Sequence, residues 1–498
     1  MLTEEDMAGS ENFNESLRLL CLDPASFNGW LGVVDAEASQ NSPSKLLIIC
    51  RRAIVIGSNS ADSLLAIAMT AIKRDQKALA IQCLSKLITI DPAREGLHLD
   101  LGAMLEASSH DGLAAYFYRR EALLSPGDPR PWFNLGNVAM SQGDPSASAG
   151  NYDEALARGL TSTFGYKAAA LAHLIAGNFS RGWSLYETRF VGGNVSVINK
   201  SRMLISNKPL LGKSLDGYAK SSVLVWAEQG IGDEIMFGSM LKEFQDRVGR
   251  LIVQVDARLI PLFRRSFPVE VLFFDRADSV PESYYDAHVA IGSLGKYLRP
   301  TINSFSNSRR YLYADAGRVL EIRESMKLGS GEIAIGISWQ SSNRDTGNVR
   351  SISLSKMAKA LHFPRVRLVN LQYGTVDDEI KFVEASLGIQ IMCFPAVNNT
   401  TDLDGLAAII EACDQVVSIG NATAHLAGAL GKKTTVLLPR IGARTADGAI
   451  IPGWRWLDSG GRCVWYESVE LMKSQVHESN WDYCLLRLRE HLATQLDL

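Results

Sequence analysis

The residues best suited to chemistry gather in three loops of the second half of the chain, each closing a β-rich run. The first reads Trp226-Ala227-Glu228-Gln229-Gly230-Ile231-Gly232-Asp233-Glu234. Gly230 and Gly232 permit a tight turn and the close approach of a ligand, while Asp233 and Glu234 open a helix whose dipole favours negative charge there. A carboxylate so placed can take the proton of an attacking hydroxyl, with Glu228 a further candidate. An acidic first turn can equally do no more than stabilise its helix. The Gly-x-Gly lacks the third glycine of a dinucleotide fingerprint.

The second loop, 339–354 (WQSSNRDTGNVRSISL), begins at Trp339 and carries Arg344 and Arg350. The arginine fork of donors suits a pyrophosphate, although single surface arginines are just as common. The third, 418–431, runs a strand into a helix whose first turn holds Asn421, Ala422, Thr423, Ala424 and His425. Free backbone N–H groups at such a start form an anion site. Thr423 reads equally well as a plain helix cap, and His425 as a packed helical histidine.

These loops need a scaffold that brings strand ends together. From Ser221 short β-rich runs alternate with helical stretches, as parallel βαβ units require. The expected strands are 223–226, 251–255, 271–274 and 287–291, then 333–338, 366–371, 415–419 and 434–438. Helices are expected from about Asp233, over 403–412 and from about Ala424. Two such sheets in tandem place a ligand at their C-terminal strand ends, in the cleft between lobes.

The first third follows another rule. Pro24, Pro92 and Pro126 fall on a lattice of 34 residues, with Ser58 and Leu160 at the two sites between and beyond them. The same interval links Trp30, Leu64, His98, Trp132 and Tyr166, pairs Gly102 with Gly136 and Gly143 with Gly177, and joins Tyr118, Tyr152 and Tyr186. One antiparallel helix pair per unit explains the phase. Large residues fill the gap between helices, Gly102 and Gly136 let helices approach, and proline ends a unit because it cannot continue the preceding helix.

The array resembles the tetratricopeptide family, most clearly at Pro131-Trp132-Phe133-Asn134-Leu135-Gly136-Asn137, over about five units between residues 15 and 190. Stacked units of this kind make a curved solenoid with a groove for peptides or protein segments. In the related array of O-GlcNAc transferases an asparagine ladder lines that groove. Here the positions in phase with Asn134 are Gly32, Ala66, Asp100 and Ala168, so the ladder is missing.

The second half resembles bacterial glycosyltransferases of the heptosyltransferase-like GT-B group, in the branch that carries N-terminal tetratricopeptide repeats. The segments that carry the resemblance are WAEQGIGDEIMFGSML, IGISWQSSN followed by RSISL, VRLVNLQYG, the stretch from DLDGLAAIIEACDQVVSIGNATAHLAGALGKKTTVLLP, and PGWRWL with VWYESVELM. They run in order from about Gly177 onward. The resemblance implies an α solenoid followed by an α/β GT-B unit of two Rossmann-like lobes. It implies repeats over 1–190, a connector over 191–220, an acceptor lobe over 221–320 and a nucleotide-sugar lobe over 321–498 with a closing helix.

It further implies that Asp233 is the general base, with Glu234 and Glu228 as alternatives. Donor contacts would come from Gly230, Gly232, Trp339, Arg344, Arg350, Gln372, Asn421, Ala422, Thr423, Ala424 and His425. A basic residue of the Arg350 loop would neutralise the leaving group, so that neither metal nor cofactor is expected and the nucleotide-sugar is a substrate. Many relatives carry Asp-Thr at Gly420–Asn421, a departure that bears on the choice of sugar and nucleotide. The activity implied is an inverting transfer to a protein acceptor recruited by the repeats, with flagellin or another surface protein offered by analogy. The alternatives are a lipid- or polysaccharide-linked glycan as acceptor, and a scaffold whose GT-B half only binds.

Composition fits these expectations. A net charge of -3 argues against a general nucleic-acid binder. The acidic start MLTEEDMAGSENFNES lacks the basic and apolar regions of a secretory signal, and no apolar run reaches membrane-spanning length. Seven scattered cysteines with no CxxC pair indicate neither a disulfide framework nor a zinc site. A bacterial, cytoplasmic protein is expected.

Overall fold

Proline and glycine set the rhythm of the repeats. The computed structural model describes residues 61–190, 206–305, 309–343, 346–440, 442–443, 453–475 and 481–496. The readings at Pro24, Trp30, Gly32, Ser58 and Arg344 lie outside the described residues. Helices α1 (Ala61–Lys73) and α2 (Lys77–Ile90), α3 (Leu97–Ala107) and α4 (Asp111–Leu124), and α5 (Pro129–Ser141) and α6 (Pro145–Ala157) form consecutive pairs. Asp128 caps α5 by accepting the Arg130 N–H, and Asp144 caps α6 by accepting that of Ala147, each followed by a proline in the first turn.

The 34-residue phase has a steric cause. A Cβ on Gly102 would lie 2.5 Å from the Tyr118 ring, and one on Gly136 would lie 2.5 Å from the Tyr152 ring. Each tyrosine therefore lies across the bare backbone of the first helix of its pair, giving a tetratricopeptide-like repeat. Where Gly96 leaves α3 without a capping side chain, the buried Glu121 accepts the N–H groups of Gly96 and Leu99 at 2.7 and 3.3 Å.

The chain divides into two units between Thr161 and Ser162, inside the stretch expected to be repeat. A fourth pair, α7 (Thr163–Ile175) and α8 (Phe179–Tyr186), belongs to the second unit. Trp183 of α8 explains why. It is buried, its Nε1 donates to the Arg299 carbonyl at 2.8 Å, and a Cβ on Gly295 would strike its indole.

Within the second unit, β1 (Ser222–Trp226), β2 (Arg250–Val255), β3 (Leu272–Asp275) and β4 (Ala287–Ala290) form a parallel sheet of order β3-β2-β1-β4, with Val223 opposite Leu251 and Ala287. The second sheet comprises β5 (Ile333–Ser338), β6 (Val366–Asn370), β7 (Ile391–Met392), β8 (Gln415–Ile419), β9 (Thr434–Leu438), β10 (Asp458–Ser459), β11 (Arg462–Cys463) and β12 (Val469–Lys473). Its order is β10-β11-β12-β9-β8-β5-β6-β7, antiparallel only across β10, β11 and β12. Strands β8 and β9 are buried throughout, as a sheet covered on both faces requires.

Five further helices matter for the site: α9 (Ile231–Gly238), α10 (Ala316–Ser325), α11 (Asp377–Leu387), α12 (Leu403–Ala412) and α13 (Ala422–Ala429). Helix α9 begins at Ile231 and α13 at Ala422, each two residues before the expected start. Helix α10 packs on α12, with Arg318 bonded to Asp402 and Arg323 to Asp414. The second lobe therefore starts before residue 321. A last helix, α14 (Asp482–Gln495), buries Cys484, Leu485, Leu488 and Leu492 against the second lobe's core. Among the described residues no helix is long and apolar enough to cross a membrane.

The three loops of interest follow β1, β5 and β8. Strand β1 is an inner strand of the first sheet, and β5 and β8 are neighbours in the second. The chain runs from β5 to β6 on one side and places β8 on the other, the switch point at which open α/β sheets bind ligands.

Candidate functional site

Helix α9 sets the first lobe's side of the site. Gly230 is its N-cap and offers its carbonyl to the N–H groups of Asp233 and Glu234. Gly232 faces the second lobe, where a Cβ would lie 3.2 Å from His425 Cδ2 and 3.5 Å from Ala422 Cα. Its role is therefore the close approach of α9 to the start of α13. One turn of α9 thus carries Asp233 to the boundary between the lobes.

Asp233 and Glu234 then part. Asp233 is 8% exposed and turns to the second lobe, where Arg455 donates from Nε to Oδ1 and from Nη2 to Oδ2, the latter at 3.2 Å. Glu234 turns inward. It accepts the Asp256 N–H at 2.7 Å and pairs with Arg276 at 2.5 Å, and burial pushes its carboxyl up to about 7. That value would suit a base, but both oxygens are committed to bracing the turn after β2.

Glu228 is likewise structural in its surroundings. It is buried, pairs with Arg189 at 2.9 Å and accepts the Gly292 N–H at 3.2 Å. Arg189 also holds Ser293 Oγ at 2.8 Å and Glu187 at 2.6 Å. Burial raises the Glu228 carboxyl above its usual range, against the lowering pull of Arg189. The residue ties α8 to the first sheet rather than facing the cleft.

In the second lobe the side chains expected to touch a donor mostly brace the loops. Trp339 is fully buried and donates to Glu379 of α11 at 2.9 Å. Gln372 is buried, and its Oε1 accepts from Ser338 Oγ and from the N–H groups of Trp339 and Gln340 at 3.0, 2.8 and 2.8 Å. Its Nε2 donates to the carbonyls of Gln340 and Tyr373. Every polar atom of Gln372 is thus spent on shaping the loop after β5, so the expectation of a nucleotide contact gives way to a bracing role.

Asn421 caps α13 by accepting the Ala424 N–H at 3.2 Å, while its Nδ2 donates to Ser338 Oγ at 2.7 Å and to the Gln340 carbonyl at 3.2 Å. Thr423 and Ala424 are buried, and only Ala422 of this turn is partly exposed. The first N–H groups of a helix have no partner within it. With that of Ala424 taken, those of Ala422 and Thr423 have no partner among the described residues and are open to a ligand.

His425 is packed. Its ring stacks on Trp456 with centroids 4.2 Å apart and planes 13° from parallel, and Nδ1 meets the Tyr466 hydroxyl at 3.1 Å. Burial pushes its pKa down to about 3, so the ring is neutral and gives no charge to a phosphate. A Cβ on Gly420 would lie 2.7 Å from Trp456 Nε1. The indole fills the room a side chain at 420 would take, a steric reason for glycine there.

Arg350 differs from all of these. It ends a short helix (Gly347–Arg350) and has no ion pair or side-chain hydrogen bond among the described residues. Burial pushes its guanidinium down to about 10, the charge of Arg455 pushes the same way, and Asp233 opposes both. His425 feels Asp233, Arg455 and Arg350 alike. Two guanidiniums and one carboxylate therefore converge beside the start of α13.

Arg455 is the member that the residue pattern did not single out. It sits in the short turn Trp454–Trp456, entered through Gly453 at φ 60. The flanking tryptophans anchor the turn, Trp456 on His425 and Trp454 against Trp183, Tyr186 and Phe237 at 6.4, 5.5 and 6.0 Å between centroids. Among the described residues no group of three His, Cys, Asp or Glu side chains is placed to hold a metal ion.

The chain is similar to the protein FlbA of Caulobacter vibrioides, with 30% identity over 387 residues. The match covers 74% of this chain and 63% of FlbA, so the chain spans less than two thirds of that curated relative. No protein-family model matches the chain. Solved structures resemble it over smaller portions. One is YrrB, described as a TPR protein with an unusual peptide-binding site, at 13% identity, 34% of this chain, 89% of that chain and a TM-score of 0.29. Another is MamA, at 17% identity, 29% and 80% coverage and a TM-score of 0.26.

Proposed function

We propose that the second unit transfers a sugar from a nucleotide-sugar donor to an acceptor, and that the repeats recruit that acceptor as a protein segment. The observation that carries this reading is the convergence of Arg350, which has no ion pair among the described residues, with the Asp233–Arg455 pair beside the start of α13. Such a place has surplus positive charge for a diphosphate and a carboxylate for a hydroxyl.

In the reaction the acceptor oxygen bonds to the anomeric carbon from the face opposite the leaving group while its proton passes to Asp233. The anomeric carbon–oxygen bond to the diphosphate breaks, and its electron pair leaves with the nucleoside diphosphate. Arg350, Arg455 and the N–H groups of Ala422 and Thr423 stabilise that departing charge. Asp233 then loses the proton to water. Attack from the opposite face inverts the anomeric centre.

The engagement of Asp233 by Arg455 favours a second reading, in which this half binds a nucleotide-sugar without turning it over. One experiment separates the two. The protein is incubated with UDP-, GDP-, ADP- and CMP-sugars, and thermal stabilisation and nucleotide release are scored, with and without extract from the producing cells. Stabilisation with release supports transfer, and stabilisation without release in either condition supports binding alone. No stabilisation by any donor sinks both.

A further inference from the structure

Both oxygens of Asp233 are held by one guanidinium. The same Nη2 of Arg455 also approaches Gln229 Oε1, at 3.5 Å. A carboxylate held on both oxygens by a guanidinium has half of its lone-pair directions taken and one edge covered, which leaves less room for a hydroxyl to hand over its proton. Nearby, Arg350 has no ion pair with a carboxylate among the described residues. Two cations thus face one anion, and a diphosphate, with more charge and more acceptor oxygens, is a strong competitor for either fork.

Arg455 is also built to change partners. Its backbone is fixed by the packed indoles of Trp454 and Trp456, yet 33% of its own side chain is open to solvent. The head of a long side chain can therefore move while the turn stays in place.

We propose that Arg455 is an exchangeable clamp, which holds Asp233 until the diphosphate of a donor draws it away and uncovers the carboxylate for the acceptor. The proposal rests on the donor-site reading above and adds an order to it. The donor binds first, because the acceptor's hydroxyl finds no free base until Arg455 has moved. The proton then passes from that hydroxyl to Asp233 as the new bond to the anomeric carbon forms, and the leaving diphosphate keeps Arg455 until it departs.

The clamp makes Asp233 a competitor of the nucleotide, which gives an unusual expectation for a candidate base. Binding of UDP, GDP and ADP is measured by titration calorimetry on the full chain. The nucleotide that binds the unaltered protein is then titrated into Asp233→Asn and Asp233→Ser, two variants so that a folding defect in one leaves the comparison standing. Affinity should rise roughly five- to fiftyfold in both, the usual size of a coupling between two sites. In an Arg455→Gln background the same Asp233 substitutions should have no such effect. Equal or weaker binding in the Asp233 variants overturns the clamp while leaving the donor site standing. A rise that persists in the Arg455→Gln background overturns it too, because the gain would then be general electrostatics. If none of the three nucleotides binds the unaltered protein, the donor-site reading fails and the clamp falls with it.

Discussion

Asp233 and Arg455 stand 222 residues apart in the chain, yet the carboxylate of the first receives two hydrogen bonds from the guanidinium of the second. The pair joins the C-terminal end of the first sheet to a turn between β9 and β10 of the second. Another tie between the lobes, Arg265 with Asp404 at 2.6 Å, is about as exposed. The Asp233–Arg455 pair is set apart by its place beside the start of α13 and by its neighbour Arg350, which has no ion pair among the described residues.

Arg350→Gln should weaken binding of the nucleoside diphosphate by on the order of 1.5–3 kcal/mol, the value of a charge-assisted hydrogen bond. Folding should be little affected, because the guanidinium has no ion pair among the described residues to lose. Calorimetry beside a thermal melt checks both. Unchanged affinity would remove Arg350 from the donor site.

His425 predicts a pH dependence of stability. Its folded pKa of about 3 lies below the ordinary 6.5, so on acidification the unfolded chain takes up the proton first. The stability it confers is complete above 6.5 and is lost as the pH falls toward 3, with a slope no steeper than about 1.4 kcal/mol per pH unit. Denaturant midpoints for the unaltered protein and His425→Gln, taken across this window, should show a flatter profile in the variant. Parallel profiles would mean that the ring titrates alike in the folded and the unfolded chain.

Glu228→Gln should cost about 3–5 kcal/mol of stability, because it leaves the buried Arg189 guanidinium short of its partner. Protein that folds at lower temperature should retain its nucleotide-sugar turnover per molecule. Turnover that collapses while the fold persists would instead place Glu228 in the chemistry.

A chain beginning at Ser162 should fold and bind nucleotide but fail to glycosylate a protein acceptor. One beginning at Asn199 should aggregate, since it lacks Trp183 and the Arg189 partner of Glu228. Light scattering, nucleotide titration and an acceptor assay read these outcomes. Full transfer by the chain from Ser162 would mean that the acceptor does not dock on the repeats before that point, and a glycan-linked acceptor would become the better reading.

Much of the scaffold is legible in the sequence because its runs are apolar throughout and sharply bounded. The expected strands 333–338, 415–419 and 434–438 and the helix 403–412 coincide with β5, β8, β9 and α12. The phase of Gly102 and Gly136 with Tyr118 and Tyr152 is equally plain, since each pair meets within one repeat. The site is harder to read. Loops at strand ends need internal bracing as well as ligand contacts, and residue type does not tell which way a side chain turns. Adjacent Asp233 and Glu234 point to different lobes, and Gln372 spends its side-chain polar atoms mostly on the loop after β5. Arg455 carries no local mark at all, because its role arises only when distant parts of the chain meet.

The Trp454–Trp456 turn has a consequence for how the molecule is made. Trp183 emerges from the ribosome 271 residues before Trp454, the ring it packs against. At ordinary elongation rates of about 5–20 residues per second, that is a wait of roughly 15–50 s. During it Trp183, Tyr186 and Phe237 lack the Trp454 ring, and Asp233 lacks its cation. The first lobe therefore remains a dependent intermediate until late in translation, a client for whatever guards apolar surface on nascent chains. A chain that stops after the first sheet but short of Trp454 carries its described repeat helices with its lobe boundary unsealed.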